Sequence, residues 1–274
     1  MFLSSILFGV MAFLVKVLTG YLPAEEIVFA RFLIAFSIVI TLALFRIVRL
    51  KFTNKPLLLA RGLIGGAAIF LYFKAISLIP VSDAVVIEFA YPIFATCFAW
   101  IFLKEKAKLP SIIALLVSFL GIYLVSMPVF REFNIGYIYC LISAILAGGA
   151  VVTVRQLRKT DSAWSISFAL MTGGLLYGGL FTGGRMHIPS FNVSLLLITV
   201  AVLAASAQLL LTYAYKFCNV LEGTTISMFT VFVTVLLAVA FLGEQITVEF
   251  LCGAGLILGS TIYLLQAHPG EIIR

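Results

Sequence analysis

Four ionisable side chains stand in stretches otherwise apolar enough for lipid: Lys16, Arg31, Lys74 and Glu88. A lone charge at hydrocarbon depth costs at least about 2.5–3.5 kcal/mol on insertion scales, so such groups face one another or a water-filled cavity. The economical arrangement pairs Glu88 with Lys74 or Arg31 inside a helical bundle. Three cations to one acid leave positive charge over, which suits an anionic group on a bound solute, such as a carboxylate. Glu88 is too short to snorkel to the headgroups, so it is also the candidate for proton coupling. Lys16 and Lys74 have long stems that can reach the interface, and Arg31 has an alternative role as a bolt between spans.

Helical spacing places further side chains beside these charges. Glu88, Tyr91 and Ala95 share one face of a segment. Gly66, Phe70, Lys74 and Ser77 share another, as do Gly9, Phe13 and Lys16, and Gln208, Thr212 and Tyr215. The expected solute-binding set is therefore Lys16, Arg31, Phe70, Lys74, Glu88, Tyr91, Gln208 and Tyr215. Thr224, Ser227, Thr230 and Thr234 form a polar stripe that either lines a cavity or bonds helix to helix, at about 0.6 kcal/mol per bond. Tyr72, Tyr213 and Trp100 are aromatic candidates for stacking, with Trp100 best assigned to an interfacial belt. Catalytic constellations are absent. The two histidines, His187 and His268, stand near loops, and no HExxH, GxSxG or phosphate-loop pattern occurs. Cys97, Cys140, Cys218 and Cys252 form no close pair, which argues against a zinc site or disulfide framework. The expectation is no enzyme, no metal and no cofactor.

The elements that position these residues follow from composition. Apolar residues make up 63% of the 274-residue chain, charged residues 11%, and mean hydropathy is +1.21. A soluble chain carries roughly twice that charge, so the solvent is the bilayer. A membrane helix needs about 20 apolar residues, which allows roughly ten spans and no soluble domain. Ten segments separate: 2–20, 24–46, 57–79, 82–103, 110–127, 135–155, 163–182, 193–216, 221–242 and 246–266. Lipid forces backbone bonds to close within each segment, so each is a helix. On a rise of about 1.5 Å per residue, Arg31, Glu88, Lys74 and Lys16 lie about 10, 9, 8 and 6 Å inside one membrane boundary. They form one charged layer.

Basic residues fix orientation. The net charge is +7, yet the cations sit between apolar runs, the topological use of Lys and Arg, not a nucleic-acid surface. Arg46, Arg49, Lys51, Lys55, Arg61, Lys104, Lys106, Lys108, Arg155, Arg158, Lys159, Lys216 and Arg274 fall on one side, against Arg131 and Arg185 on the other. The richer side is expected to be cytoplasmic, with both termini there. The start, MFLSSILFGV, lacks a basic leader region and reads as a span.

The chain also repeats itself. Laid without gaps on Leu211 to Gln245, the stretch Tyr72 to Lys108 sets Ala75 on Ala214, Val81 on Val220, Ile87 on Ile226, Ala99 on Ala238 and Glu105 on Glu244. Five spans per half is an odd number, so the halves, 1–128 and 129–274, run in opposite directions. Such inverted repeats carry a solute site near mid-membrane between the halves. Pro92 is expected to kink the fourth span. Val231 stands opposite it, so the two halves are expected to bend differently. The pairs Gly173-Gly174, Gly178-Gly179 and Gly183-Gly184 imply close packing of the seventh span on a neighbour.

This pattern resembles the EamA-type branch of the drug/metabolite transporter superfamily. The resemblance rests on Pro23-Ala24-Glu25, Phe29 to Phe32, Arg61-Gly62, Tyr72 to Pro80, Ala84, Tyr91-Pro92 and Phe102 to Glu105 in the first half. Ala207-Gln208, Thr212 to Tyr215 and Phe241 to Glu244 carry it in the second. It implies an all-α membrane protein of ten transmembrane helices in two inverted five-helix repeats, set in the inner or plasma membrane of the cell. It implies alternating-access transport, often export, of a small organic metabolite such as an amino acid or an S-adenosylmethionine-like solute. A multidrug or lipophilic-cation efflux carrier and an uncoupled facilitator are the alternatives. The partners implied are the solute, the lipid bilayer and protons, with no nucleic acid, in a monomer or homodimer.

Overall fold

The computed structural model describes residues 1–130, 134–182, 189–242 and 247–267. Arg131, Gly183, Gly184, Arg185, His187, Gly243, Glu244, Gln245, His268 and Arg274 lie outside the described residues.

The described elements are all helical: α1 (Phe2–Leu18), α2 (Ala24–Leu44), α3 (Lys55–Ile76), α4 (Val81–Glu88), α5 (Tyr91–Phe98), a π-helical turn (Ala99–Leu103), α6 (Leu109–Ser126), α7 (Ile135–Leu157), α8 (Ala163–Thr182), α9 (Phe191–Ala214), α10 (Val220–Ser227), α11 (Phe229–Leu242) and α12 (Val248–Ala267). With α4–α5 and α10–α11 each forming one span, nine are long and apolar enough to cross a membrane among the described residues. The apolar α1, at 17 residues, is the tenth helix of the set. Side-chain caps begin several of them: the Asn54, Asn134 and Asn219 side chains accept from the backbone N–H groups of Leu57, Gly136 and Glu222. These satisfy donors that a helix start leaves without partners.

The most extensive helix contacts join one half of the chain to the other: α3 packs on α7 and α8, α6 on α12, α1 on α9 and α11, α2 on α8. Small residues allow the approach, as they do wherever lipid removes the hydrophobic drive between helices. A Cβ at Gly62 would lie 2.6 Å from the Ala169 carbonyl oxygen, and one at Gly66 2.7 Å from the Gly173 carbonyl carbon. The glycines of α8 thus serve the close packing expected of them, with Gly174 and Gly178 seated on Phe32 and Phe29 of α2. At the α6–α12 crossing, a Cβ at Gly121 would lie 2.7 Å from the Gly253 carbonyl oxygen, and the Ser118 and Ser260 hydroxyls bond at 2.5 Å.

Both halves contain an interrupted helix, and the interruptions correspond. In the overlay that sets Val81 on Val220, α4 matches α10 end for end. The spans resume at Tyr91, after two residues, and at Phe229, after one, and they break by different means. Pro92 enters α5 near its first position, where its missing N–H is harmless. The second half has no proline there. Instead, Thr224, Thr225 and Ser227 donate their hydroxyls to the Val220, Leu221 and Gly223 carbonyls one turn back. Such back-bonding loosens and bends a helix. At Met228 the ladder tightens, with the Met228 N–H donating to Thr225 and the Val231 N–H to Met228.

Candidate substrate site between the two halves

The end of α4 delivers Glu88 and the start of α5 delivers Tyr91, so the interruption places both at the middle of the bundle. One Glu88 carboxylate oxygen is buried without a hydrogen-bond partner. Tyr72 of α3, Tyr91, and Cys140 and Ser143 of α7 surround it closely enough to interact. The Tyr91 hydroxyl reaches Ser227, which ends α10, and lies within electrostatic range of Tyr215. Tyr215 is fully buried at the end of α9, with its ring against Gly223 and its hydroxyl unpartnered. Glu88, Tyr91 and Tyr215, three of the residues expected from sequence, therefore gather in one interior cluster.

The other five stand elsewhere. Lys16 and Lys74 are exposed in the last turns of α1 and α3, the snorkelling position. Arg31 is half-buried, with a guanidinium nitrogen 3.9 Å from the Met11 sulfur and its carbon 4.7 Å above the Phe32 ring. The sulfur contact joins α2 to α1, the bolt alternative, while the π contact stays within α2. The expected pairing of Glu88 with Lys74 or Arg31 is not among the ion pairs of the described residues. The reason is helical phase: the face of α3 bearing Gly66 and Phe70 turns toward α8, whereas Tyr72 turns toward Glu88. Gln208 bonds within α9, its amide nitrogen donating to the Thr212 hydroxyl at 3.2 Å. Of the serine–threonine stripe, Thr224, Ser227 and Thr234 donate back to their own helix, while Ser227 also meets the Tyr91 hydroxyl and the Thr234 hydroxyl also reaches the Gly9 carbonyl of α1 at 3.2 Å.

Phe70 belongs to a second feature. A narrow cleft lies between α2, α3 and α8, lined by Phe32, Phe70, Tyr177 and Phe181 together with Glu25. Phe70 stacks on Phe181 at 3.8 Å between ring centres.

Sequence reasoning missed two groups. Arg61 had been counted with the basic loop residues, yet it is buried within α3, and its Nε has no partner. The available signal was its place seven residues into a helix, on the face that continues through Gly65 and Ala68 to Tyr72. The second group is a latch at the basic end. The π-helical turn and a left-handed Lys104 (φ 56°) return the chain so that Glu105 faces the second half. One Glu105 oxygen accepts from Arg155 Nε at 2.9 Å, and the other from the backbone N–H of Val220, the first residue of α10, at 2.9 Å. Arg155 also donates to the Tyr215 and Lys216 carbonyls. A carboxylate here meets a helix start, where negative charge is favoured. Nearby, in the loop before α10, burial pushes the Cys218 thiol up to about 12, so it stays protonated.

Two interlocked halves, each with an interrupted helix ending at a shared polar interior, define a membrane carrier architecture. The chain belongs to the EamA-like transporter family, whose model matches residues 1–127 and 134–266. It is a multi-pass membrane protein of a family that transports small metabolites. It is 31% identical over 216 residues to the pseudopaline exporter CntI of Pseudomonas aeruginosa, covering 78% of this chain and 76% of that one. It is 22% identical to a riboflavin transporter of Brucella anthropi, covering 91% and 90%, and 21% identical to an S-adenosylmethionine uptake transporter of Rickettsia conorii, covering 94% and 88%. A solved crystal structure shares the fold at a TM-score of 0.82 and 18% identity, covering 100% of this chain and 97% of that one.

Proposed function

We propose that this protein is an alternating-access carrier, not an enzyme, for a small carboxylate-bearing metabolite of the amino-acid or S-adenosylmethionine kind. In this reading the repeats are 1–128 and 129–274, the membrane is the bacterial inner membrane, and the basic end with both termini is cytoplasmic. The observation that carries it is the correspondence of α4 with α10: two half-spans of equal length end at the bundle centre, beside Glu88 and Ser227. Interrupted helices in matching places of inverted halves are where such carriers hold their solutes. Glu88 then couples transport to protons, because its carboxyl is enclosed by Tyr72, Tyr91, Cys140 and Ser143 and forms no ion pair among the described residues.

Counterflow in proteoliposomes tests the carrier. Vesicles preloaded with unlabelled S-adenosylmethionine, or with one of a panel of amino acids, should accelerate uptake of the same labelled compound. Uptake indifferent to internal solute would mean a facilitator. Glu88→Gln should flatten the dependence of uptake on pH; an unaltered pH profile would remove Glu88 from coupling. The aromatic cleft with Glu25 favours a second reading, efflux of lipophilic cations. Counterflow of tetraphenylphosphonium, with none of any carboxylate, would select it.

A further inference from the structure

Arg61 presents an electrostatic problem. Its side chain is only 6% exposed, and its Nε finds no acceptor. The guanidinium lies over Gly65, where any side chain would collide with it. The described residues form no ion pair with it. A guanidinium does not surrender its proton in a protein, and an uncompensated buried ion is strongly unfavourable. Within electrostatic range of it stands the Tyr215 hydroxyl, also buried and unpartnered. From Tyr215 the polar chain continues to Tyr91 and then to Glu88, whose free carboxylate oxygen is buried as well. An unsatisfied cation and an unsatisfied acid thus stand at opposite ends of one interior cluster, joined by two tyrosines from opposite halves.

We infer that Arg61 and Tyr215 hold the carboxylate of a zwitterionic substrate while Glu88 receives its ammonium group. This rests on the carrier reading and narrows its substrate class to amino-acid-like zwitterions. The guanidinium fork matches a carboxylate with two parallel bonds, and the Tyr215 hydroxyl donates a third. Tyr72 and Tyr91 flank the Glu88 end. Counting from the helix starts, Arg61 lies about 9 Å from one end of the bundle and Glu88 about 10 Å from the other, in a hydrocarbon core of about 30 Å. The arginine stem shortens the remaining gap. Lys16 and Lys74, exposed in a different layer, take no part.

Thermal unfolding of the purified full chain in detergent tests this with simple probes: sodium acetate against sodium chloride at equal ionic strength, then glycine, 4-aminobutyrate and 6-aminohexanoate. Acetate should raise Tm above chloride. One member of the amino-acid series should bind at least tenfold more tightly than acetate. Arg61→Gln should abolish the acetate shift and raise the Tm of the ligand-free protein, since it removes a buried charge without a partner. A merely structural Arg61 would give the opposite change in ligand-free Tm. Glu88→Gln should erase the tenfold gain of the amino acid. If Arg61→Gln yields no folded protein, Arg61→Lys decides, because a point charge without the planar fork should weaken acetate at least tenfold. An acetate shift equal to that of chloride in the native chain, or unaltered in these Arg61 variants, overturns the assignment. Failure of counterflow with acetate binding intact would instead sink the carrier reading and leave this site standing.

Discussion

Asp83, fully buried in the first turn of α4, holds the entry to the interrupted span by a single carboxylate. It accepts from the Val129 and Phe130 backbone N–H groups at 2.7 and 3.1 Å and from the Tyr137 hydroxyl at 2.8 Å. Asp83→Ala would remove a charged acceptor that three part-buried hydrogen bonds share, each worth about 1 kcal/mol or somewhat more. We expect a clear fall in unfolding midpoint, smaller for Asp83→Asn. A Tm equal to that of the native chain would show that these bonds are dispensable. Glu105 is different, because it and Arg155 are each 23% exposed. Their ion pair is worth at most about 1 kcal/mol at that exposure, and capping of the α10 start adds about 1 kcal/mol. A double-mutant cycle of Glu105→Gln and Arg155→Met should return a coupling energy near that of the pair alone, with the capping loss confined to Glu105→Gln. Strict additivity in unfolding free energy would mean that the two side chains do not interact.

At the level of helices, hydrophobic run length, the short turns and the basic loops made the spans and their number legible, and gapless overlay of the halves exposed the repeat. The break in α10–α11 was not legible in the same way. A proline announces a break by its missing N–H, whereas Thr224, Thr225 and Ser227 act by bonding to their own helix, and a polar stripe reads equally well as cavity lining. Of the interior cluster, Glu88, Tyr91 and Tyr215 were legible because each is polar at hydrocarbon depth. Arg61 was lost among basic loop residues, since sequence does not reveal where a helix dips below the interface. Lys74 misled for the converse reason, its long stem placing the charge far from its backbone. The glycine pattern of α8 was read correctly, and it makes a quantitative claim. A Cβ at Gly173 would collide with the Gly62 carbonyl, so Gly173→Ala must force the α3 and α8 backbones apart. Overpacking of this kind costs about 1–3 kcal/mol. Gly255→Ala, with open space around its Cβ position, is the control that should leave Tm unchanged. Equal midpoints for both variants would refute the close crossing.

Across the whole molecule, the main contacts between helices lie between the halves, so the two repeats cannot separate as independent bodies. In the proposed alternating-access cycle, motion is then expected where polar contacts, not close glycine crossings, join the halves. The basic end offers one place to test: Ala107 and Leu221 both line the small gap beside Glu105, where the latch joins the two halves. If the carrier works by opening this end, tethering it must arrest transport. Ala107→Cys with Leu221→Cys, in a chain whose exposed Cys97 and Cys252 are replaced by serine, supplies the pair. The native Cys140 and Cys218 are buried, and Cys218 also remains a protonated thiol, poorly reactive toward maleimides. A short bis-maleimide should abolish counterflow, whereas N-ethylmaleimide on the same pair should leave most of it. Either single-cysteine variant treated with the bis-maleimide should behave as the N-ethylmaleimide control does. Counterflow that survives the tether would mean that the Glu105 latch stays shut through the cycle and that the moving gate lies at the opposite end of the bundle.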